Sequence, residues 1–409
     1  MKPLKPVFLF AFCAGVLLIT RNIFWLGDST LIQQSVADES DQLSESLSTE
    51  NLMYRKTTMF TKDQLRIIFV THSRPELVKR CIDSILSQPG TSQYNIMISL
   101  DNEDKEQEVL GIISELEIKY PSYKESMKLV IKPKEKRKMT SERAMSSHVH
   151  FAMNQLFTGD TQYGMLLEED LWFSPDFVEL MTMSIDVMEK DKSLFCASGW
   201  NDNGFLPFAA DEKKLLRTKG FPGYGWIISR KHITPFLAKL PNSVRNWGAW
   251  FDHYVIDHNL ECIVPEVPRT RHLGAGGVHI SDNTYYDSMT FAKSESGQGT
   301  FDDSITRLTI EEFNKDLLKR AKEAIKVDLN EIIDPEKFNF TPNTEYIVQV
   351  NFNSDCPRLV EPFKLFHIRR CKMTHEGVLQ VSMPHKQSRI LFVDSELGSK
   401  WLKSHSLFW

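Results

Sequence analysis

Apolar residues along this chain fall into two patterns that take turns: short solid runs, and spacings of three and four. Leu65-Arg-Ile-Ile-Phe-Val70, Ile96 to Leu100, Lys128 to Ile131 and Gly164 to Leu167 are short runs rich in large or β-branched residues, which predicts buried strands. Between them lie stretches with helical spacing. In Pro75 to Ser87, Leu77, Cys81 and Ile85 share a face with Val78, Ile82 and Leu86 beside them, and Glu106 to Tyr120 and Ser141 to Phe157 follow the same rule. Helices are predicted again at Pro175 to Asp191, Lys231 to Leu240 and Trp247 to Asn259, and strands at Cys196 to Ser198 and Trp226 to Ser229. Strands alternating with helices predict an α/β fold, a mostly parallel sheet covered on both faces. From about Thr309 the pattern changes. A charged amphipathic helix to Val327 is followed by strand-like runs at Tyr346 to Phe352, Val378 to Ser382 and Arg389 to Val393, the pattern of a smaller α+β appendage.

The N-terminal part follows neither pattern. Lys2 and Lys5 precede an apolar run, Val7 to Thr20, which Arg21-Asn22 interrupts and Ile23 to Leu26 extends. A bilayer span needs about 20 such residues, and no small-x-small cleavage site follows the run. A type II signal-anchor is expected, with a cleaved signal peptide as the alternative; either way the body is secretory and its cysteines meet oxidising conditions. Asp28 to about Phe60 is rich in Ser, Asp, Glu and Gln and reads as a stem. The expected division is 1–27 tail and anchor, 28–60 stem, 61–308 main domain and 309–409 appendage.

A net charge of -5 over 409 residues argues against nucleic-acid binding as the main business. The chemistry concentrates in Met165 to Phe177, where a short apolar run ends in Glu168, Glu169 and Asp170, followed by Ser174-Pro175-Asp176. That last triplet has the grammar of a helix start: an N-cap serine, a proline at the first helical position, an acid in the first turn. Three carboxylates therefore sit at a strand's carboxyl end, where open α/β sheets bind ligands and where burying acids requires a positive partner. A divalent cation held against a phosphate is the simplest such partner; the alternative is a solvated acidic turn. Trp200-Asn-Asp-Asn-Gly204 and Phe221-Pro-Gly-Tyr-Gly-Trp226 are further polar and glycine-rich loops, but their glycines do not precede a helix in dinucleotide-binding order. Tyr224 and Trp226 either stack on a sugar or pack. His272 to Ser281 is a glycine-rich candidate lid, Lys132 to Lys138 a basic loop, and Asn339-Phe-Thr341 a glycosylation sequon.

Five ordered stretches resemble the N-acetylglucosaminyltransferase I family, whose relatives include the protein O-linked-mannose β-1,2-N-acetylglucosaminyltransferase. They are Ser73-Arg74-Pro75, where the family has Asn-Arg-Pro; Glu168-Glu169-Asp170 before Ser174-Pro-Asp-Phe177; Trp200 to Gly204; Arg217 to Trp226; and Cys262 to Thr270. The resemblance covers roughly Leu65 to Asp303, and the appendage more loosely. It implies a GT-A-type nucleotide-sugar-binding domain and an inverting Golgi enzyme that uses Mn²⁺. Such an enzyme moves N-acetylglucosamine from UDP-N-acetylglucosamine to a mannose hydroxyl of a glycoprotein. By position it implies that Arg74 and Asp101 contact the UDP part, with Glu168 and Glu169 nearby, that Asp170 ligates the metal directly, and that Cys196 pairs with Cys262. One family disulfide is replaced by His72 and Asn102 together. Cys81 is expected as a free core thiol, and Cys356 and Cys371 are candidates to pair in the appendage.

The chain departs from the family where the catalytic base belongs. The family's Trp-Asp-(Asp)-Trp stretch reads Trp250-Phe251-Asp252-His253 here. A strict register puts Phe251 at the base position; a slide of one makes Asp252 the base, and Asp252 is the residue expected. The family's lid serine is replaced near Gly277-Val278-His279, where His279 either touches the diphosphate or metal or is a solvated loop histidine. A non-catalytic lumenal glycan-binding protein on the same fold is the competing expectation, motivated by Phe251.

Overall fold

The structure, a computed structural model, describes residues 64–135, 139–241, 244–273, 289–293, 301–366, 371 and 373–407. The expected anchor and stem, and the candidate lid from residue 274 on, with His279, lie outside them; the first residue expected in that lid, His272, instead ends a strand. Among the described residues no helix is long and apolar enough to cross a membrane.

The first half builds as its pattern predicts. β1 (Leu65–Thr71), α1 (Pro75–Leu86), β2 (Asn95–Leu100), α2 (Glu106–Lys119), β3 (Met127–Ile131), α3 (Ser141–Leu156) and β4 (Tyr163–Glu168) alternate, and β1 pairs in parallel with both β2 and β4. After β4 come β5 (Leu171–Phe173), α4 (Phe177–Lys190), β6 (Leu194–Ser198), β7 (Leu215–Thr218), β8 (Trp226–Ser229), α5 (Arg230–Lys239), α6 (Trp247–Asp257), β9 (Glu261–Pro265) and β10 (Thr270–His272). The main sheet has eight strands in the order β3-β2-β1-β4-β8-β6-β9-β7, with β8 antiparallel to both its neighbours and β7 antiparallel to β9. β5 and β10 form a separate antiparallel ribbon just beyond the carboxyl end of β4. The fold is thus α/β with a mostly parallel mixed sheet, as expected.

One local expectation fails. The helix after the acids starts at Phe177, not Pro175, and Ser174 is not its N-cap. Ser174 Oγ donates to Asp176 Oδ1 at 2.6 Å, and Asp176 Oδ2 takes Arg269 Nη2 at 3.1 Å with both side chains fully buried. A carboxylate that must neutralise a buried guanidinium is not available to cap a helix, so the turn 174–176 is held by Arg269. The guanidinium also lies 4.9 Å from the Phe301 ring.

Cys196 and Cys262 are cross-strand partners on β6 and β9 and are disulfide-bonded; Cys356 and Cys371 are bonded as well, and Cys81 is a buried free thiol. The appendage begins with α7 (Ile310–Glu323). Its four-stranded sheet has the order β11-β12-β14-β13, from β11 (Ile325–Lys326), β12 (Glu345–Val350), β13 (Val378–Met383) and β14 (Ser388–Asp394). Ile347, Val378, Leu391 and Trp401 belong to the same apolar cluster as Phe69, Met165 and Leu180, so main domain and appendage share one core.

Candidate active site

The acids at the end of β4 do not point to open water. Glu169 N–H donates to Val70 O, which lays the turn against the end of β1, and Glu169 Oε2 accepts the His72 N–H at 2.7 Å. Arg74, ahead of α1, closes the turn from above. Its Nε donates to Glu169 Oε1 and its Nη2 to Asp170 Oδ2, both at 2.7 Å. Nη1 of the same guanidinium is buried with no hydrogen-bond partner. Burial pushes the Asp170 carboxyl up, but His272 and Arg74 beside it outweigh that and hold it below the usual carboxylate range. Glu168 is driven the other way, well above that range, by burial and by the Asp170 charge. Arg74, Glu169 and Asp170 are therefore brought together, with Glu168 one residue behind.

Asp101, at the end of β2, is the next member. Its Oδ1 lies 2.5 Å from His72 Nδ1 and its Oδ2 lies 3.5 Å from His148 Nδ1, while His148 Nε2 meets Ser99 Oγ at 2.9 Å. Burial raises the Asp101 carboxyl, but the His72 hydrogen bond and the neighbouring positive groups outweigh it and lower the pKa. His148 on α3 is buried, which depresses its pKa to about 4 and keeps it neutral. So the ends of β1, β2 and β4 present a continuous polar floor: His148, Asp101, His72, Glu169, Arg74, Asp170.

The ribbon adds His272. Antiparallel pairing sets His272 opposite Leu171, and Leu273 N–H donates to Asp170 O at 2.7 Å. The His272 Nε2 then lies 3.3 Å from Asp170 Oδ2, with the imidazole side chain 4% exposed. Tyr224 stands edge-on to His272 at 5.7 Å between ring centroids and lies 4.7 Å from Trp200. Its backbone is left-handed (φ 48°), between Gly223 and Gly225. Gly225 has no alternative residue. At φ 83° a Cβ would come within 2.8 Å of Phe173 and 3.0 Å of Thr270. Of the two aromatics that the loop offered, Trp226 is fully buried and packs; only Tyr224 faces the site.

Asp252 connects to this loop from below. It is 4% exposed, and its Oδ1 accepts the Phe221 N–H at 2.7 Å, so it fixes the first residue of the loop that carries Tyr224. Phe251 is fully buried and stacked between Phe221 at 4.5 Å and Phe236 at 3.9 Å. The phenyl ring thus belongs to the core, and Asp252 is the carboxylate on this stretch of helix.

Sequence reasoning missed His72, His148 and His272 as site members. None carried a signal of its own: His72 entered as a loop residue after a strand, His148 sat unremarked in a predicted helix, and His272 entered only as the edge of a loop.

The family model described as the GNT-I family matches residues 26–383. The alpha-1,3-mannosyl-glycoprotein 2-beta-N-acetylglucosaminyltransferase of Arabidopsis thaliana is 28% identical over 215 residues, 52% of this chain and 47% of the relative. The chain thus spans about half the length of that relative. Among solved structures, it is similar to the mannosyltransferase PcManGT from Pyrobaculum calidifontis in complex with GDP-Man and Mn²⁺ (14% identity, 58% of this chain and 68% of that one, TM-score 0.34). It is also similar to S. aureus TarS 1-349 (9% identity, 50% and 58%, TM-score 0.31). With most of its length matched by the family model, the chain belongs to the GNT-I family.

Proposed function

We propose that this protein is an inverting glycosyltransferase that moves N-acetylglucosamine from UDP-N-acetylglucosamine to a mannose hydroxyl of a glycoprotein glycan, forming a β-1,2 link with Mn²⁺. The observation that carries the proposal is Asp170 and Glu169 held against Arg74 at the carboxyl ends of β1 and β4. Both kinds of charge that a metal-bound diphosphate needs are within reach there. The donor set fits a divalent cation: carboxylate oxygen from Asp170, with an orphaned guanidinium N–H of Arg74 beside it for a phosphate oxygen. When bound, the cation neutralises the charge that develops on the departing diphosphate.

The residues then divide the work. Asp170 holds the metal, Glu168 and Glu169 line the donor site, and Arg74 takes the diphosphate. The floor of His72 and Asp101 receives the nucleoside, with neutral His148 buried behind it, its ring nitrogens turned to Asp101 and Ser99. In a single displacement the acceptor hydroxyl gives up its proton on the face opposite the leaving group, and Asp252 is the base in this reading. Its bond to Phe221 N–H orients the carboxylate and ties it to the Tyr224 loop. The body is lumenal, held by a single type II anchor on the strength of the N-terminal pattern alone, and the Golgi membrane is the one that the family resemblance implies.

The burial of Asp252 favours one competitor, a glycan-binding protein that has kept the fold without turnover. UDP release from UDP-N-acetylglucosamine with Mn²⁺ and a mannosyl acceptor separates the two. Turnover that falls at least about 100-fold in Asp170→Asn supports the enzyme. Glycan binding without release of UDP on any mannosyl acceptor supports the competitor.

A further inference from the structure

We infer that a cleft between the main domain and the appendage binds a second branch of the acceptor glycan, one that does not react. The inference rests on the reading of the acceptor as a mannosyl glycan and adds to it a site apart from the donor's. The cleft has a volume of about 480 Å³, within the span of about 300–1,000 Å³ that small-molecule sites occupy. Asp211 and Glu266 line it from the main domain, and Asn343, Ser382, Gln387 and Arg389 from the appendage.

The walls of the cleft are fixed by hydrogen bonds. Glu266, 5% exposed, joins main domain to appendage: its Oε1 accepts the Asp211 N–H at 3.1 Å, and its Oε2 accepts from Ser382 Oγ at 2.7 Å. Within the appendage the Asn343 N–H donates to Gln387 O at 2.7 Å and the Arg389 N–H to Thr344 O at 3.2 Å, which zips the turn at 343 to the turn at 387. Asn343 and Gln387 both have left-handed backbones, with φ 58° and 50°. Their side-chain amides are exposed and make no hydrogen bond among the described residues. Two groups that can each donate and accept thus stand on a fixed rim.

The chemistry of the lining selects the ligand. Each carboxylate already has a cation: Glu266 has Lys214 Nζ at 2.9 Å, Glu345 is paired with Arg320, and Asp211 faces Arg389 Nη2 at 3.5 Å. Neither a metal ion nor a lone anion finds an uncompensated charge there. Among the described lining residues only Ala210 and Pro384 are apolar, so an apolar peptide side chain has little to bury against. What remains is a neutral ligand rich in hydroxyls, which suits two amides beside a loosely held, half-exposed carboxylate–guanidinium pair. Two short contacts tie the cleft to the active site. Asn201 Nδ2 donates to Glu266 O at 2.9 Å, and the ring of the preceding Trp200 lies 4.7 Å from Tyr224, which faces the site. A branched glycan whose reacting mannose sits beside Tyr224 therefore meets the cleft with its other branch.

The test uses the full chain and two probes, methyl α-mannoside and a branched mannose pentasaccharide. Each is titrated by NMR without nucleotide or metal, then assayed for turnover with UDP-N-acetylglucosamine and Mn²⁺. Asn343→Gly and Gln387→Gly remove the amides and suit the left-handed backbone, and Arg389→Ala removes the exposed guanidinium. The expected result is pentasaccharide binding weakened at least about fivefold in the Asn343 and Arg389 variants. With the pentasaccharide, KM should rise by a similar factor at unchanged kcat, the mark of a contact made equally before and during the reaction. With methyl α-mannoside neither constant should change. Parental pentasaccharide affinity in all three variants overturns the inference, as does a parent protein that does not bind the pentasaccharide. Equal losses for both probes overturn it too, since they report a general defect. Pentasaccharide binding that is lost in the variants, in a protein that releases no UDP on either acceptor, supports the cleft and overturns the transferase reading.

Discussion

Asp252 is where the residue scale decides most. A carboxylate that accepts a backbone N–H and is nearly enclosed can serve as a base or as a brace for the Phe221 loop, and substitution by the isosteric amide separates the roles. Asp252→Asn keeps an oxygen for Phe221 N–H but cannot take a proton. If Asp252 is the base, turnover falls about 10² to 10⁴-fold with the melting temperature unchanged. Retention of parental turnover by the amide assigns it to the loop instead. His148 gives a second prediction, this time about stability. Buried beside Asp101, Lys132 and His72, it is neutral in the folded state with a pKa of about 4 against an ordinary value of 6.5. The unfolded chain binds the extra proton, so His148 supports the fold fully above about pH 6.5 and loses that support as pH falls toward 4. Between pH 7 and pH 5 the loss is about 2 kcal/mol, read as a drop in urea midpoint. In His148→Gln, which can still meet Ser99 Oγ, that part of the drop should vanish. Glu169 and Asp170 were legible in sequence because acids at a strand's end have few reasons to be there, and Arg74 was legible only through the family resemblance. The histidines were not, since one histidine looks like any other until a fold brings it near a carboxylate.

At the scale of elements, periodicity found every long strand and helix of the first half and failed on the short ones. β5 and β10 are three residues each, too brief for alternation to register, yet their pairing sets Asp170 beside His272. β7 and β9 were hidden in stretches that read as motif rather than as structure. α6 was legible as a helix, but its sequence does not say which face is inward. The structure answers that with Phe251, whose ring meets Phe221, Trp226, Phe236 and Trp247. Removing it empties the centre of an aromatic cluster. Phe251→Ala should cost about 3–5 kcal/mol in chemical unfolding, and Phe251→Leu much less. A loss under about 1 kcal/mol for the alanine variant would mean that the cluster does not hold α6 in place. The outcome also bears on function, because α6 carries Asp252 directly beside that ring.

At the scale of the whole molecule, the question is whether the appendage is an accessory or part of the body. Arg217, one of the residues that carried the family resemblance, is fully buried and bonds nothing in the site. Its guanidinium meets Asp191 Oδ2 and Glu261 Oε2 at 2.6 Å and Leu308 O at 2.7 Å, partners 26, 44 and 91 residues away, which no local pattern can announce. Glu261 in turn accepts from His375 of the appendage at 2.8 Å, and His375 Nε2 meets Asn314 Oδ1 on α7 at 2.6 Å. Asp191 Oδ2 also takes the Ile310 N–H where the appendage begins. Removing one partner from such a cluster strands the others without water. Arg217→Ala should therefore destabilise by about 3–5 kcal/mol, more than any exposed ion pair on this surface. Because Glu261 serves both Arg217 and His375, the double variant with His375→Ala should lose measurably less than the sum of the singles. If the shared core and this cluster make one cooperative body, calorimetry should show a single transition in the parent. Cutting the chain before α7 should then yield no folded main domain, since Phe313 and Leu317 sit in the core beside Leu180. Two separated transitions, or a soluble, cooperatively melting 64–308 fragment, would make the appendage an accessory after all.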